Sequence, residues 1–229
     1  MNEILWLLFA ILNFLCIVAV YKLFGKTGLF AWIAVGTVIA NIQVTKTIEL
    51  FGFTATLGNI MYGTLFLATD TLNEKYGLKD AKRAVYLGFF TMIAMVAIMQ
   101  GALIFTPAPD DFAHESLTTI FEMVPRIVLG SLTAYIISQL FDVHVFQKIR
   151  NRYASKSTLY LRNIGSTMLS QLVDSAIFVP IAFLGIFETP VLLSILFTTY
   201  LIKLIVAMLD TPFIYLMQTI KPIEERPEA

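Results

Sequence analysis

Long apolar runs separated by short polar segments dominate the pattern along this chain. A transmembrane helix needs about 20 mostly apolar residues, and seven stretches of the sequence have about that length with few charges inside them. These predicted spans are residues 4–24, 28–44, 55–71, 84–105, 125–146, 163–186 and 191–217. Because unpaired backbone groups are costly in lipid, we expect each span to be a helix. The predicted fold is an all-α polytopic membrane protein with seven transmembrane helices.

We expect residues 1–229 to form a single transmembrane domain. Residues 28–218 would make a six-helix core, and residues 1–26 would add one helix in front of it. A signal peptide would have a basic segment before its apolar run and a cleavage site of small residues after it. The first run has neither feature, so we interpret it as a retained helix.

The positions of Lys and Arg predict how the helices are oriented, because cytoplasmic loops are enriched in these residues. Thirteen of the sixteen cationic side chains fall on one side of the seven-span arrangement. They are Lys22, Lys26, Lys75, Lys79, Lys82, Arg83, Lys148, Arg150, Arg152, Lys156, Arg162, Lys221 and Arg226. This distribution predicts an outside N-terminus and a cytoplasmic C-terminus, and only Lys46 and Arg126, each at a helix end, break the pattern.

The composition excludes several classes of protein. Hydrophobic residues make up 58% of the chain and charged residues 14%, against about 25% charged in soluble domains, so a soluble globule is excluded. Equal numbers of basic and acidic residues, 16 each, give no reason to expect nucleic acid as a partner. The single Cys16 excludes an internal disulfide, and two distant histidines do not suggest a zinc site. We expect no metal and no cofactor.

No sequence motif indicates an enzyme. Gly25, Lys26 and Thr27 resemble the end of a phosphate-binding loop, but the glycine required five positions earlier is Val20. The spacings of a nucleophile and its base are also missing. We therefore interpret residues 25–27 as a cytoplasmic turn.

Polar side chains inside the spans are costly and by default mark function. Asp174 and Lys203 lie near the middle of the last two spans, which are joined by a turn around Glu188. At about 1.5 Å of rise per residue, each lies roughly 21–23 Å from that turn. In an antiparallel helical hairpin they would reach the same depth, so we expect them to form an ion pair.

Four short segments and one lysine resemble a known family. They are residues 40–44 (Ala-Asn-Ile-Gln-Val), 66–71 (Phe-Leu-Ala-Thr-Asp-Thr), 139–146 (Gln-Leu-Phe-Asp-Val-His-Val-Phe) and 170–175 (Ser-Gln-Leu-Val-Asp-Ser), with Lys203 in the last span. In order and spacing they resemble the queuosine-precursor transporter family, also called the vitamin uptake transporter family. The resemblance implies import of 7-deazaguanine compounds across the bacterial inner membrane, for modification of a tRNA anticodon base.

The polar positions in the spans supply a candidate site for such a compound. A deazaguanine ring presents N–H donors beside a carbonyl acceptor, which carboxylates, amides and a lysine can pair. The candidate substrate-binding residues are Asn41, Gln43, Tyr62, Asp70, Gln139, Gln171, Asp174 and Lys203. Candidates for coupling or gating are Arg126, Asp142, His144 and Asp210.

Each candidate also has a structural interpretation. Asp70 and Asp142 precede basic loops and could pair there with Lys or Arg. The amides could bond neighbouring helices together, and Arg126 could extend toward the membrane interface.

Two classes of transporter remain open from the sequence. In the first, the protein imports its small-molecule substrate alone by alternating access. In the second it is a capture subunit that needs a separate energising complex, as in energy-coupling-factor systems. Such subunits often carry an Ala-x-x-x-Ala docking motif, and Ala31, Ala34 and Ala40 lack that spacing. We expect the lipid bilayer to surround the protein, and a homo-oligomer stays an alternative.

Overall fold

The chain is described here from a computed structural model. It covers residues 1–152 and 159–223, without the side chains of several residues between 139 and 167 and of Ala207 and Thr211. Helices and one strand pair follow one another in the order α1 (Asn2–Gln43), β1 (Thr47–Leu50), β2 (Phe53–Thr56), α2 (Asn59–Tyr76), α3 (Leu78–Leu103), α4 (His114–Arg152), α5 (Leu159–Phe183) and α6 (Thr189–Thr219). The expectation of a mostly helical protein is confirmed.

Helix α1 is broken into two arms at Gly25, whose backbone has φ 50° and ψ −135°. Glycine adopts this positive φ at little steric cost, unlike other residues. A Cβ atom added at Gly28 would lie 2.8 Å from the carbonyl oxygen of Val20, although eight residues of straight helix span about 12 Å. The chain therefore reverses at Gly25. The first arm (residues 2–24) and the second arm (residues 26–43) correspond to the first two predicted spans.

A two-stranded antiparallel hairpin between α1 and α2 corrects the all-α prediction. Strand β1 pairs with β2 from Thr47 opposite Thr56 to Leu50 opposite Phe53. The two residues between the strands, Phe51 and Gly52, have φ values of 52° and 79°, as the tightest hairpin turns require. Because this turn lacks the usual Asn-Gly signal, the sequence analysis missed it and began a span at residue 55.

Side chains of the neighbouring helices hold this hairpin in place. The Thr54 N–H donates to Ser194 Oγ (2.8 Å), and Thr198 Oγ1 donates to the Thr54 carbonyl (2.8 Å). On the other side, the Asn2 amide donates to the Glu49 carbonyl (2.9 Å). The hairpin thus joins α6 to the start of α1, and we call this end of the molecule the hairpin end.

Residues of the predicted cytoplasmic loops meet at the opposite end, which we call the basic end. Lys26 pairs with Asp80 at 2.6 Å, and Lys75 Nζ donates to the Ile220 carbonyl at 2.6 Å. The Ile223 N–H donates to the Lys22 carbonyl at 2.9 Å. The turn of α1, the junction of α2 and α3, and the end of α6 are therefore held together, as the charge pattern requires.

Small residues let α2 approach its neighbours closely, as in many membrane proteins. A Cβ atom at Gly63 would collide with the Val206 side chain of α6, and one at Gly36 would lie 2.7 Å from Leu65. The first arm of α1 joins the same core, where Phe14 stacks on Phe213 with 4.8 Å between ring centroids.

Within the described residues, four helical stretches are long and apolar enough to cross a membrane. They are Asn2–Gln43, Leu78–Leu103, His114–Ser138 and Thr189–Thr219, and Met168–Phe183 is a shorter apolar helix. Large apolar side chains such as Leu8 (58%) and Phe90 (69%) are exposed on their surfaces. Such surfaces suit lipid and would be unfavourable in water. The count of seven crossings and their orientation stay predictions.

Candidate functional site

A cavity of about 300 Å³ lies between the second arm of α1 and helices α2 to α6. Its volume is at the lower end of the range for small-molecule sites. The lining residues include Thr37 of α1 and Val44 directly after it, Asn59, Tyr62, Phe66, Thr69 and Asp70 of α2, Gly88, Phe89 and Met92 of α3, Ser131, Tyr135 and Ser138 of α4, Gln171, Asp174 and Phe178 of α5, and Lys203 of α6. The first arm of α1 supplies none of them.

An ion pair between Asp174 and Lys203 lies in the cavity wall. The two side chains are 17% and 14% exposed, and Ser138 Oγ donates a further bond of 3.4 Å to Asp174 Oδ1. A lone charge at membrane depth is unfavourable by about 2.5–3.5 kcal/mol on the insertion scale, so each residue stabilises the other. The predicted pair is confirmed as a contact, and its part in function stays a prediction.

One face of each neighbouring helix is turned toward this pair. On α5, Gln171, Asp174 and Phe178 follow at spacings of three and four residues, which places them on one helical face. On α2 and α4, the hydroxyls of Tyr62 and Ser131 lie 3.4 Å apart. Polar groups of α2, α4, α5 and α6 therefore line the same cavity.

Aromatic rings form much of the remaining wall. Phe89 meets Tyr135 edge to face, with 5.1 Å between their centroids. The Lys203 ammonium lies 6.0 Å from the centre of the Phe178 ring, the outer limit for a cation–π contact. A cavity with aromatic sides and a few convergent polar groups is suited to a planar heterocycle.

The structure brings five of the eight predicted substrate-binding residues to the cavity wall: Tyr62, Asp70, Gln171, Asp174 and Lys203. Asn41 is buried behind the wall, where its amide nitrogen donates to the Thr37 carbonyl at 2.8 Å and contacts Met92 Sδ at 3.1 Å. It supports two lining residues. Gln43 does not line the cavity, and the Gln139 side chain lies outside the described residues.

Three of the four predicted coupling or gating residues, Arg126, His144 and Asp210, are described by the structure and do not line the cavity. Arg126 donates to the carbonyls of Ile181 and Leu184, both at 2.5 Å. The last carbonyls of a helix lack partners within it, so Arg126 caps α5 and fastens it to α4. His144 is exposed on α4, Asp210 is buried on α6, and the Asp142 side chain lies outside the described residues.

Comparison with known proteins decides the family. A family model described as "Putative vitamin uptake transporter" matches residues 56–217. The chain belongs to this vitamin uptake transporter family. A relative from Bacillus subtilis, named a probable queuosine precursor transporter, is 51% identical over 98% of both chains. The Escherichia coli queuosine precursor transporter is 26% identical over 63% of this chain and 62% of its own. No solved structure matches the chain.

The relatives and the apolar helices together identify a multi-pass membrane protein with a small-molecule substrate. The region matched by the family model begins in β2, contains helices α2 to α5 and ends in the last turn of α6. The cavity residues Ile33 and Thr37 of α1, and Val44 directly after that helix, lie before the matched region. The Bacillus subtilis relative aligns over 225 residues, so its likeness extends over most of α1 as well.

Helix α3 also contributes to the cavity wall, which the sequence did not predict. Gly88, Phe89 and Met92 line the cavity, but an apolar residue in a membrane helix carries no signal that separates a cavity from lipid or packing. For Gly88 the signal is a close contact, since an added Cβ would meet Thr37 Oγ1 at 3.3 Å. Only the assembled structure reveals that contact.

Proposed function

We propose that this protein imports queuosine precursors, 7-deazaguanine bases, across the inner membrane of a bacterium for salvage into tRNA. The observation that carries the proposal is the 51% identity, over nearly the full length of both chains, to a probable queuosine precursor transporter. The cavity chemistry supports it independently.

A deazaguanine base matches the arrangement of polar groups in the cavity. Its N–H donors need acceptors, and Asp174 and Gln171 supply oxygens in the cavity wall. Its carbonyl needs a donor, which Lys203 or the Gln171 amide supplies. Phe178, Phe89 and Tyr135 then flank the ring plane. A site with buried polar groups of this kind rejects ligands that leave them unpaired.

The proposed membrane arrangement has seven crossings, with the hairpin end outside and the basic end in the cytoplasm. Helix α1 has 42 residues, about 63 Å of helix at 1.5 Å per residue, and supplies two crossings of a core about 30 Å thick. Among the cavity-lining residues of α2, exposure rises from Asn59 (4%) near the hairpin to Phe66 (42%) nearer the basic end. We therefore assign this conformation to an inward-facing state.

The experiment that tests the function is salvage in a bacterium that cannot make queuosine precursors and has no importer of its own. Cells that express the protein should contain queuosine in their tRNA when a deazaguanine base is supplied at nanomolar concentration. Cells with an empty vector should not, because little base crosses the membrane unaided at that concentration.

A high concentration of base serves as the control. Both strains should then modify their tRNA, which demonstrates that the later steps are intact. Equal modification with and without the protein at nanomolar supply would contradict the proposed function.

A further inference from the structure

Three ionisable acidic or basic side chains line the cavity among the described residues: Asp70, Asp174 and Lys203. The ion pair between Asp174 and Lys203 cancels two of the charges. Ionised Asp70 then gives the empty site a net charge of −1. A charge at membrane depth needs a partner or access to water. The next question is therefore which group stabilises the Asp70 carboxylate.

The nearby lysines do not pair with Asp70 in the described part of the chain. Lys75, one turn and a half away on α2, donates instead to the Tyr21 hydroxyl at 2.8 Å and to the Ile220 carbonyl at 2.6 Å. Lys26 pairs with Asp80. The structural interpretation of Asp70 as the partner of a neighbouring lysine is therefore not realised, and its side chain is exposed to the cavity.

Asp70 also lies at a definite distance from Tyr62 along α2. Tyr62, Phe66 and Asp70 follow at spacings of four residues on one face of the helix and all line the cavity. Asp70 therefore lies about 12 Å farther along the helix than Tyr62, at 1.5 Å per residue. A bicyclic ring with a short amine arm spans a comparable length, once a hydrogen bond of about 2.8 Å is added at each end.

We infer that Asp70 is a cation subsite that selects deazaguanine bases carrying a protonated amine. The base edge binds at Asp174 and Gln171, the ring passes Phe66, and the ammonium group binds the Asp70 carboxylate. The cargo then neutralises the cavity, and a neutral base of the same size leaves Asp70 uncompensated. This inference rests on the proposed function and adds to it the charge of the preferred substrate.

The test compares two ligands on the purified full chain: 7-aminomethyl-7-deazaguanine, which is a cation, and its neutral 7-cyano counterpart. The wild type should bind the amine at least about tenfold more tightly. Asp70→Asn should weaken amine binding by about 10- to 100-fold, the range for removing one member of a charged hydrogen-bonded pair. Binding of the cyano base should change by no more than about threefold, which also demonstrates that the variant is folded.

Glu122→Gln is the matched control, because Glu122 is an exposed carboxylate on α4 that does not line the cavity. It should leave the preference for the amine unchanged within about twofold. Loss of both ligands in Asp70→Asn, or no change for either, would overturn the inference while the proposed function stands. Failure of the wild type to bind either base would instead refute the proposed function itself.

Discussion

The Asp174–Lys203 pair is the residue-scale feature on which the site depends. Both charges lie in the cavity wall, where Gln171 and Tyr62 present further polar groups. A purely structural pair would need only to avoid an isolated charge. A functional pair must also offer the Asp174 carboxylate to substrate, and these two roles can be separated by substitution.

The double variant Asp174→Asn with Lys203→Gln should fold but lose transport. Each single variant leaves one uncompensated charge, which destabilises a protein by about 3–5 kcal/mol when the pair is buried. The double variant removes both charges, so its thermal unfolding temperature should recover toward that of the wild type. Its uptake of a deazaguanine base should fall at least about tenfold, since a carboxylate acceptor for the base is gone. Normal uptake by a folded double variant would assign the pair a structural role only.

The sequence alone predicts those residues of the site whose charge is unusual for their position in an apolar span. Asp174 and Lys203 stand out because charges are rare in apolar spans, and their equal distance from the turn predicts that they meet. Phe89 and Thr37 have no such signal, because apolar residues and threonines are ordinary in membrane helices. Asn41 has an equally conspicuous amide, and the structure places it outside the cavity lining, where it donates to the Thr37 carbonyl and contacts Met92.

Among the secondary-structure elements, the lengths of the apolar runs predict the helices well. The hairpin was not predicted, and the residues in its turn explain why. The break in α1 at Gly25 follows the gap between two predicted spans. The hairpin was missed because Phe51 occupies a positive-φ position that Asn or Gly normally takes. The charge pattern grouped the basic loops on one side, and Lys26–Asp80 and Lys75–Ile220 hold several of them together.

The orientation of these helices can be tested with a reporter enzyme that is active only outside the cytoplasm. Fusions within residues 107–115, which link α3 to α4, should be active, because the acidic loops are predicted to lie outside. Fusions within residues 151–160 should be inactive, since the flanking sequence is rich in Lys and Arg. The reverse pattern would invert the topology and with it the assignment of an inward-facing state.

In the whole molecule, the hairpin would close the cavity on its outer side in the proposed membrane arrangement. Thr54 binds Ser194 and Thr198 of α6, and Glu49 binds Asn2 of α1. Val44 and Asn59, the lining residues nearest the hairpin, are 1% and 4% exposed. We expect the outward-facing state to require separation of these neutral hydrogen bonds, each of which contributes about 0.5–1.5 kcal/mol.

We propose that this chain alone carries a deazaguanine base across a membrane. Counterflow is the measurement that tests this proposal. Liposomes that contain only this protein are loaded with unlabelled base and then placed in a solution with a trace of labelled base. Counterflow needs no external energy source, so a self-sufficient transporter should accumulate label inside, transiently and at a saturable rate. The Asp174→Asn, Lys203→Gln variant should accumulate at least about tenfold less. Binding of the base without entry of label would contradict the claim and indicate a capture subunit of a larger system.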